Sequence, residues 1–488
     1  MGSLDQAALP KHMLIDGKLV GARTTYPSVN PATGEVLGYA PDASEEDARA
    51  AVAAARRAFD QTSWPTDVAF RTRCLEQLHA ALTAHKEELR ELTVADVGAP
   101  RQITYGAQLD EPIEIVDYYA RLLPTHQFSE DLGLREFMGS QHRRWVEYEP
   151  VGVVAAIIGY NYPTQLALAK IPPALAAGCT VVLKAAPQTP LITLALAELI
   201  ANETEIPPGV VNIVSSSRAS VGEVLTTSPD VDAVTFTGST ATGRRIMAAA
   251  AGTIKRVFLE LGGKSALVVL DDADLQGPAM VAAFAGCSHA GQGCAITTRI
   301  VVPRARHDEF VQIAAAMLGN VTYGDPTDDK NYMGPLITEQ QREKVHSIVT
   351  RAVAGGATLV CGGSPVDGPG YFYQPTLLAG VDPDSELAQE ELFGPVIAVI
   401  PHDGDDDAVQ IANNSIYGLS GGVYSADEDR ALRVARRIRT GTLGINGGAW
   451  FGPDSPFGGY KQSGLGREMG RAGLEEFLES KTLAVPHE

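Results

Sequence analysis

From residue 151 onward the apolar positions fall into short continuous runs: VGVVAAIIG (151–159), TVVLKAA (180–186), GVVNIVSS (209–216), DAVTFTG (232–238), RVFLELGG (256–263) and SALVVLD (265–271). Helix-length segments separate them. Runs of this length, apolar on both faces, predict strands buried within a parallel sheet whose crossovers are helices. The fold class is therefore α/β, with a doubly wound unit that places ligands at the carboxyl ends of its strands. A second α/β stretch runs from about 263 to 440, with candidate strands at TTRIVVP (297–303), ATLVCGG (357–363), 393–400 and LSGGVYS (419–425).

The amino-terminal third follows a different pattern. LIDGKLV (14–20) and NPATGEVLGYA (30–40) read as strands punctuated by Asn-Pro and Gly turns. Ser44, with Glu46 and Asp47 behind it, predicts the start of an Ala-rich helix. Further helical stretches are expected around 71–97 and 108–122. Residues 128–150 lose helical periodicity, and REFMGSQHRRWVEYEP alternates in the manner of a strand pair with one covered face. No repeat or low-complexity tract interrupts the chain.

Composition narrows the function. With 59 Asp plus Glu against 39 Lys plus Arg, the formal charge is −20, which disfavours nucleic acid and anionic membrane surfaces as partners. The most apolar stretches, 151–159 and 191–201, are shorter than the roughly 20 residues of a membrane helix. No charged-then-apolar export signal opens the sequence. Five scattered cysteines (Cys74, Cys179, Cys287, Cys294, Cys361) lack the paired spacing of a zinc site and suit a reducing compartment, so a cytoplasmic location is expected. HDGDDDA (402–408) lacks the alternating Asp of a calcium loop and reads as a solvated helix start; no metal is expected.

Four local features carry chemistry. In GQGCAITTR (291–299), Cys294 sits among small residues that let a substrate reach its sulfur, although a buried structural Cys is the commoner role. In FLELGGKSA (258–266), Glu260 ends an apolar strand, where a carboxylate either pairs structurally or is held for proton transfer. In IIGYNYPTQL (157–166), Asn161 is placed to cap a helix or to donate its amide to an oxyanion. In FTGSTATGRR (236–245), Gly238 and Gly243 surround a strand-to-helix turn suited to a pyrophosphate, without being a G-x-G-x-x-G or Walker loop.

These four, together with EELFGPV (390–396) and SPFGGYKQSGLGRE (455–468), occur in an order and spacing that resembles the aldehyde dehydrogenase superfamily from about residue 14 to 484. The resemblance implies a Rossmann-like NAD(P)-binding domain (1–127 and 151–262), an α/β catalytic domain (263–462) and a small oligomerisation element (128–150 and 463–488). It implies that Cys294 attacks an aldehyde, that Asn161 and the Cys294 amide meet the oxyanion, and that Glu260 activates the water that releases the acid. Lys170 and Glu468 match positions that support this region or relay protons. Hydrolysis is favoured over a CoA-acylating reaction because Glu260 is present, and over a catalytically silent member because Cys294 and Asn161 are retained.

By the same resemblance the cofactor cleft is lined by Ile158, Tyr160, Lys184, Gly238, Ser239, Gly262, Glu391 and Phe393, with Lys184 on the adenosine ribose and Glu391 on the nicotinamide ribose. Many NAD-preferring members carry a Glu three residues after that lysine; here it is Pro187. NAD is expected, with NADP left open, and Arg218 in SSSRAS reads first as a solvated loop charge. The substrate funnel maps to Tyr162, Gln165, Leu166, Ala169, Ser288, Gly293, Ala295, Ala449, Phe451 and Phe457. It holds no Arg or Lys, which points to an uncharged, medium-sized aromatic, terpenoid or aliphatic aldehyde. His289, where an amide is frequent, reads as a satisfied structural imidazole rather than a base. The hairpin and tail imply a homo-oligomer, a dimer or a tetramer, with the tail extending a partner's sheet.

Overall fold

The computed structural model describes residues 9–487, so the first eight residues of the opening segment lie outside the described part. Two sheets organise the chain. In the first, the parallel strands Arg256–Glu260, Ala233–Thr237, Val153–Ile157, Thr180–Lys184 and Val211–Val214 lie side by side in that order. Val153–Ile157 comes first in the chain but sits at the centre. Strand order therefore reverses there, opening a crevice at the carboxyl ends of the strands. The register brings Ile157 level with Lys184 and with Phe236, so those ends form one rim. The antiparallel pair Met13–Ile15 and Lys18–Val20 extends one edge, and Gly464–Leu465 the other.

The second sheet has Ser265–Val269, Thr297–Pro303, Val396–His402 and Gly421–Tyr424 at its heart, all parallel. The run SALVVLD thus belongs here and not with the five strands before it. Gly262-Gly263, between Glu260 and Lys264, is where the chain leaves one sheet for the other. Two hydrophobic cores correspond to the two sheets, one around Val154, Val182 and Ile213, the other around Val268, Val301 and Val399.

Most amino-terminal expectations hold. Ser44 caps the helix Glu45–Gln61 with a reciprocal pair of bonds to Asp47. The stretch expected as one helix over 71–97 is two, Val68–Ala84 and Lys86–Val97. His85 leaves helical geometry between them and its imidazole lies 2.6 Å from Glu203 on the helix Pro190–Glu203. The acidic run at 405–407 is the first turn of the helix Asp405–Asn413, as a solvated helix start would be.

Residues Ser129–Phe137 and Ser140–Pro150 form the expected hairpin, and Leu478–His487 pairs along the second of these strands. The tail thus completes a three-stranded sheet within its own chain, leaving its outer edge unpaired. Residues 464–475 lie elsewhere: Gly464–Leu465 on the first sheet, and the helix Gly470–Glu475 leading into the tail. Among the described residues, no helix is long and apolar enough to cross a membrane.

Candidate active site and cofactor cleft

Cys294 lies in the turn just before the strand Thr297–Pro303, where the second sheet faces the crevice of the first. The approach to it is unusual backbone. His289, Ala290 and Gly291 all have positive φ, at 48°, 54° and 73°. A Cβ on Gly291 would lie 2.2 Å from the Gly394 carbonyl oxygen, so the EELFGPV segment packs directly on this turn. Gln292 fixes the turn from inside. Its buried amide donates to the His289 and Pro335 carbonyls, both at 3.2 Å, and accepts from the Ile337 N–H at 2.9 Å.

Asn161 does not cap the helix Pro163–Leu168; Tyr162 holds that position. The Asn161 amide instead donates to the Gln292 carbonyl at 2.9 Å, while its own carbonyl accepts from Gln108 at 2.8 Å. Its side chain therefore reaches the turn that presents the sulfur. Burial pushes the Cys294 thiol well above the ordinary cysteine value, with Glu260, Glu391 and Glu468 adding to the effect. Such a sulfur is a thiol at rest and needs a base to become a nucleophile.

Glu260 is 2% exposed, and neither carboxylate oxygen has a hydrogen-bond partner. Burial, and then Glu468, hold its carboxyl far above the usual range. A Cβ on Gly458 would lie 2.7 Å from Glu260 Oε1, so the SPFGG segment forms the wall beside it. Lys170 and Glu468, both fully buried, form an ion pair alongside, and the Lys170 ammonium sits 5.4 Å from the centre of the Phe258 ring. All five residues expected to carry chemistry thus share one neighbourhood drawn from both sheets.

The residues expected to hold the cofactor gather along the rim. Ile158 follows the central strand, Lys184 ends its neighbour, and Gly238 follows Ala233–Thr237. Ser239 is exposed as the cap of the helix Thr240–Ala250, where its hydroxyl accepts the Thr242 N–H at 3.3 Å. Lys184 Nζ donates to the Ser216 carbonyl at 3.1 Å and the Ala185 carbonyl at 3.3 Å. An ammonium has three donors, so one remains for a ribose hydroxyl. Burial brings its value down to about 8.

At the other end Tyr160 meets the Phe393 ring edge-on at 6.0 Å. Glu391 accepts the Gly263 N–H at 2.9 Å, and a Cβ on Gly262 would lie 2.3 Å from its carboxylate. Burial raises Glu391 to about 7. A free lysine donor, an exposed hydroxyl at a helix N-terminus and a backbone cleft closed to any Cβ fit a dinucleotide. The donor set contains no metal arrangement: no cluster of three or more His, Cys, Asp or Glu suited to a metal occurs among the described residues.

Of the residues expected to line the funnel, the structure places several near the Cys294 turn. Tyr162 packs edge-on against His289 at 5.3 Å, and its hydroxyl lies 3.8 Å from where a Cβ on Gly293 would be. Leu166 Cδ1 is 3.6 Å from the equivalent point on Gly159. Gln165 is buried, its amide touching Met469 Sδ at 3.6 Å and its oxygen unpartnered. Ala169 is closed to solvent; Ser288, Ala295, Phe451 and Phe457 are half-buried, and Ala449 is exposed. His289 is buried with neither ring nitrogen in a well-formed hydrogen bond; burial lowers it to about 4, the Asn161 backbone opposing this, and leaves it neutral.

Sequence reasoning missed three residues. Trp450 stacks on Phe457 at 5.7 Å with planes 10° apart, yet its neighbours 449 and 451 were the ones expected. Gln292 was read only as part of a turn. Asp42, at the end of the strand Val36–Pro41, accepts from Ser216 Oγ and Ser217 N at 2.9 Å and Ser217 Oγ at 3.1 Å. Burial pushes the Asp42 carboxyl up, but these donors and Arg218 together hold it below the ordinary value.

Comparison with known proteins adds to this geometry. The model of the aldehyde dehydrogenase family matches residues 20–483. A 3-succinoylsemialdehyde-pyridine dehydrogenase from a Pseudomonas species is 40% identical over 479 residues, covering 97% of this chain and 98% of that protein. Among solved structures, a Mycobacterium tuberculosis aldehyde dehydrogenase in complex with NAD+ superposes with a TM-score of 0.92 at 42% identity, covering 98% of both chains. A mutant aldehyde dehydrogenase of Pseudomonas syringae, in complex with NAD+ and octanal, superposes with a TM-score of 0.90 at 38% identity, covering 97% of this chain and 96% of that one.

Proposed function

Since the chain belongs to the aldehyde dehydrogenase family, we propose that it oxidises an uncharged, medium-sized aromatic, terpenoid or aliphatic aldehyde to its carboxylic acid, using NAD. The observation that carries this is the convergence on Cys294 of a buried, unpartnered carboxylate and an amide that already reaches its turn. The absence of Arg and Lys from the funnel residues supports an uncharged substrate. The relatives named above support NAD and an apolar aldehyde, since NAD+ and octanal are bound in those structures.

In the proposed reaction the Cys294 proton passes to water, its sulfur adds to the aldehyde carbon, and loss of hydride from that carbon to the oxidised cofactor leaves a thioester on Cys294. The oxyanion formed by the addition is met by the Asn161 amide, turned from the Gln292 carbonyl, and by the Cys294 N–H. Bound NAD supplies the hydride acceptor. Lys184, Ser239 and Glu391 hold it, and Tyr160 and Phe393 shield the nicotinamide end. Glu260, acting in its ionised form, then takes a proton from water, which attacks the thioester on Cys294 and frees the acid. Lys170 and Glu468 carry that proton away. The side of the crevice built by the first sheet serves as the cofactor domain, the second sheet as the catalytic domain, and the three-stranded sheet as the assembly element. Five free cysteines support a reducing, cytoplasmic setting.

A panel of benzaldehyde, geranial, octanal and succinate semialdehyde, followed by absorbance of reduced cofactor with NAD and NADP separately, tests the reading. The uncharged aldehydes should exceed the anionic one in kcat/KM by at least tenfold. Preference for succinate semialdehyde would overturn the substrate class, and no turnover with any aldehyde would overturn the activity.

A further inference from the structure

Position 187, where a carboxylate would repel a 2′-phosphate, is Pro, yet the same corner contains another carboxylate delivered from a distant part of the chain. Asp42 reaches the loop Ser215–Arg218 from the strand Val36–Pro41 and is only 8% exposed. Ser216 connects it to the adenosine end: its hydroxyl donates to Asp42 at 2.9 Å and its carbonyl accepts from Lys184 Nζ at 3.1 Å. On the other flank of Asp42 stands Arg218, with Nε 3.4 Å from Asp42 Oδ2 and Nη2 donating to Thr24 Oγ1 at 3.1 Å. Arg218 directly precedes the helix Ala219–Thr227, and Gly222 of that helix lies against the Lys184 stem, 3.8 Å from the position a Cβ would take.

We infer that Asp42 is a specificity-determining residue that makes the enzyme select NAD over NADP, by holding the Arg218 guanidinium away from the adenosine ribose and by placing its own negative charge beneath that site. The inference rests on the reading that Lys184 contacts this ribose. Two effects act in the same direction. A 2′-phosphate adds about −1.5 to −2 charges, as a phosphate monoester does near neutrality, and would face Asp42 across Ser216. The cation able to compensate it is tied down. Arg218 is half-exposed, so once the Asp42 charge is removed only the neutral Thr24 contact remains to hold its guanidinium. Neither Asp42 nor Arg218 needs to touch the cofactor for this to operate; both act through the position of the loop and the local field.

The test is calorimetric titration of the full-length protein with NAD and with NADP, without substrate. Asp42→Asn keeps the shape and the acceptor oxygen while removing the charge. It should tighten NADP binding at least tenfold and leave NAD within about threefold. Adding Arg218→Ala to it should reverse most of the NADP gain, which a general loosening of the loop would not produce. Arg218→Ala alone should leave NADP binding within threefold, because the guanidinium is already held off; this variant keeps the test usable should Asp42→Asn fail to fold. A tenfold loss of NADP affinity in Arg218→Ala alone, an unchanged ratio in Asp42→Asn, or a gain that persists without Arg218 would each overturn the inference. Lys184→Ala gives the separate reading of the premise. If it leaves NAD binding intact, the ribose is not at this corner and both readings fall; if it weakens NAD while Asp42→Asn changes nothing, only the role of Asp42 falls.

Discussion

The Asn161 side-chain amide donates to the backbone carbonyl of Gln292, two residues before Cys294, at 2.9 Å. The proposed oxyanion donor is thus already aimed at the turn that carries Cys294, and a small rotation exchanges one oxygen acceptor for another. Asn161→Ala should lower kcat by about 10²–10³-fold, the usual effect of removing one such donor, with a loss of stability of about 1–3 kcal/mol because the buried Gln292 carbonyl loses its donor while the Gln108 bond to the Asn161 backbone carbonyl survives. Asn161→Asp should be worse than Ala, since it adds negative charge where the oxyanion forms. Steady-state kinetics of the two variants measures the difference.

Because burial and three glutamates raise the Cys294 thiol, the resting enzyme should alkylate slowly with iodoacetamide at pH 7.5 compared with free cysteine. The rate should keep climbing beyond pH 9 instead of levelling near 8.5. Cys294→Ala should abolish oxidation, whereas Ala at Cys74, Cys179, Cys287 or Cys361 should affect stability alone. Peptide mapping after alkylation identifies the reacting sulfur.

Glu260→Gln tests one chemical step. If Glu260 activates the hydrolytic water, a single-turnover burst of reduced cofactor survives while steady-state turnover falls by at least 10²-fold, within the range for general-base catalysis. Intact-protein mass should then show an acyl adduct on Cys294. Loss of the burst as well would place Glu260 in thiol activation.

Asp96 predicts a pH effect away from the chemistry. Fully buried in the helix Lys86–Val97, it accepts Ser28 Oγ at 2.6 Å and the Ile192 N–H at 3.0 Å. Burial raises its carboxyl from 3.8 to about 7. Between these values the folded protein keeps a proton that the unfolded chain has released, so stability falls as pH rises through that window. Asp96→Asn should flatten this slope, gaining on the order of 1–3 kcal/mol relative to wild type between pH 5 and pH 8. Urea midpoints at the two pH values measure it.

Assembly gives a further expectation. The three-stranded sheet has open outer edges, and Leu134, Phe137 and Met138 on the hairpin are exposed. Such edges and apolar side chains are normally covered. A dimer or a dimer of dimers is expected, and deleting Leu478–His487 should lower the assembly state while leaving Cys294 in place. A stable monomer of 51.6 kDa in light scattering would count against it.

What could be read without coordinates follows the range of the interactions involved. The parallel strands were legible because each is a local run of apolar residues, and Ser44 because its capping partner is three residues away. The crossing at Gly262-Gly263 was harder: SALVVLD looks the same in either sheet, and only pairing with Thr297–Pro303 assigns it. The break at His85 depends partly on Glu203, 118 positions onward. Trp450, Gln292 and Asp42 acquire their roles from partners such as Phe457, Ile337 and Ser216 that no spacing rule connects. His289 packs on the Tyr162 ring edge beside the Asn161 backbone, neighbours 127 and 128 residues away that its local sequence does not reveal.

The buried pair of Lys170 and Glu468 has a consequence for synthesis. Its members are 298 residues apart, and at ordinary elongation rates a ribosome needs roughly 15–60 s to travel between them. Throughout that interval Lys170 has no carboxylate to join, and an unpaired ammonium resists leaving water. The first sheet can fold around its apolar strands, but the pocket around Glu260 stays wet and unformed until the SPFGG segment and Glu468 have been added. In a nascent chain Cys294 therefore lacks the burial and the Glu468 carboxylate that raise its thiol in the finished fold, and the sulfur behaves as an ordinary cysteine until the last segment of the site is made.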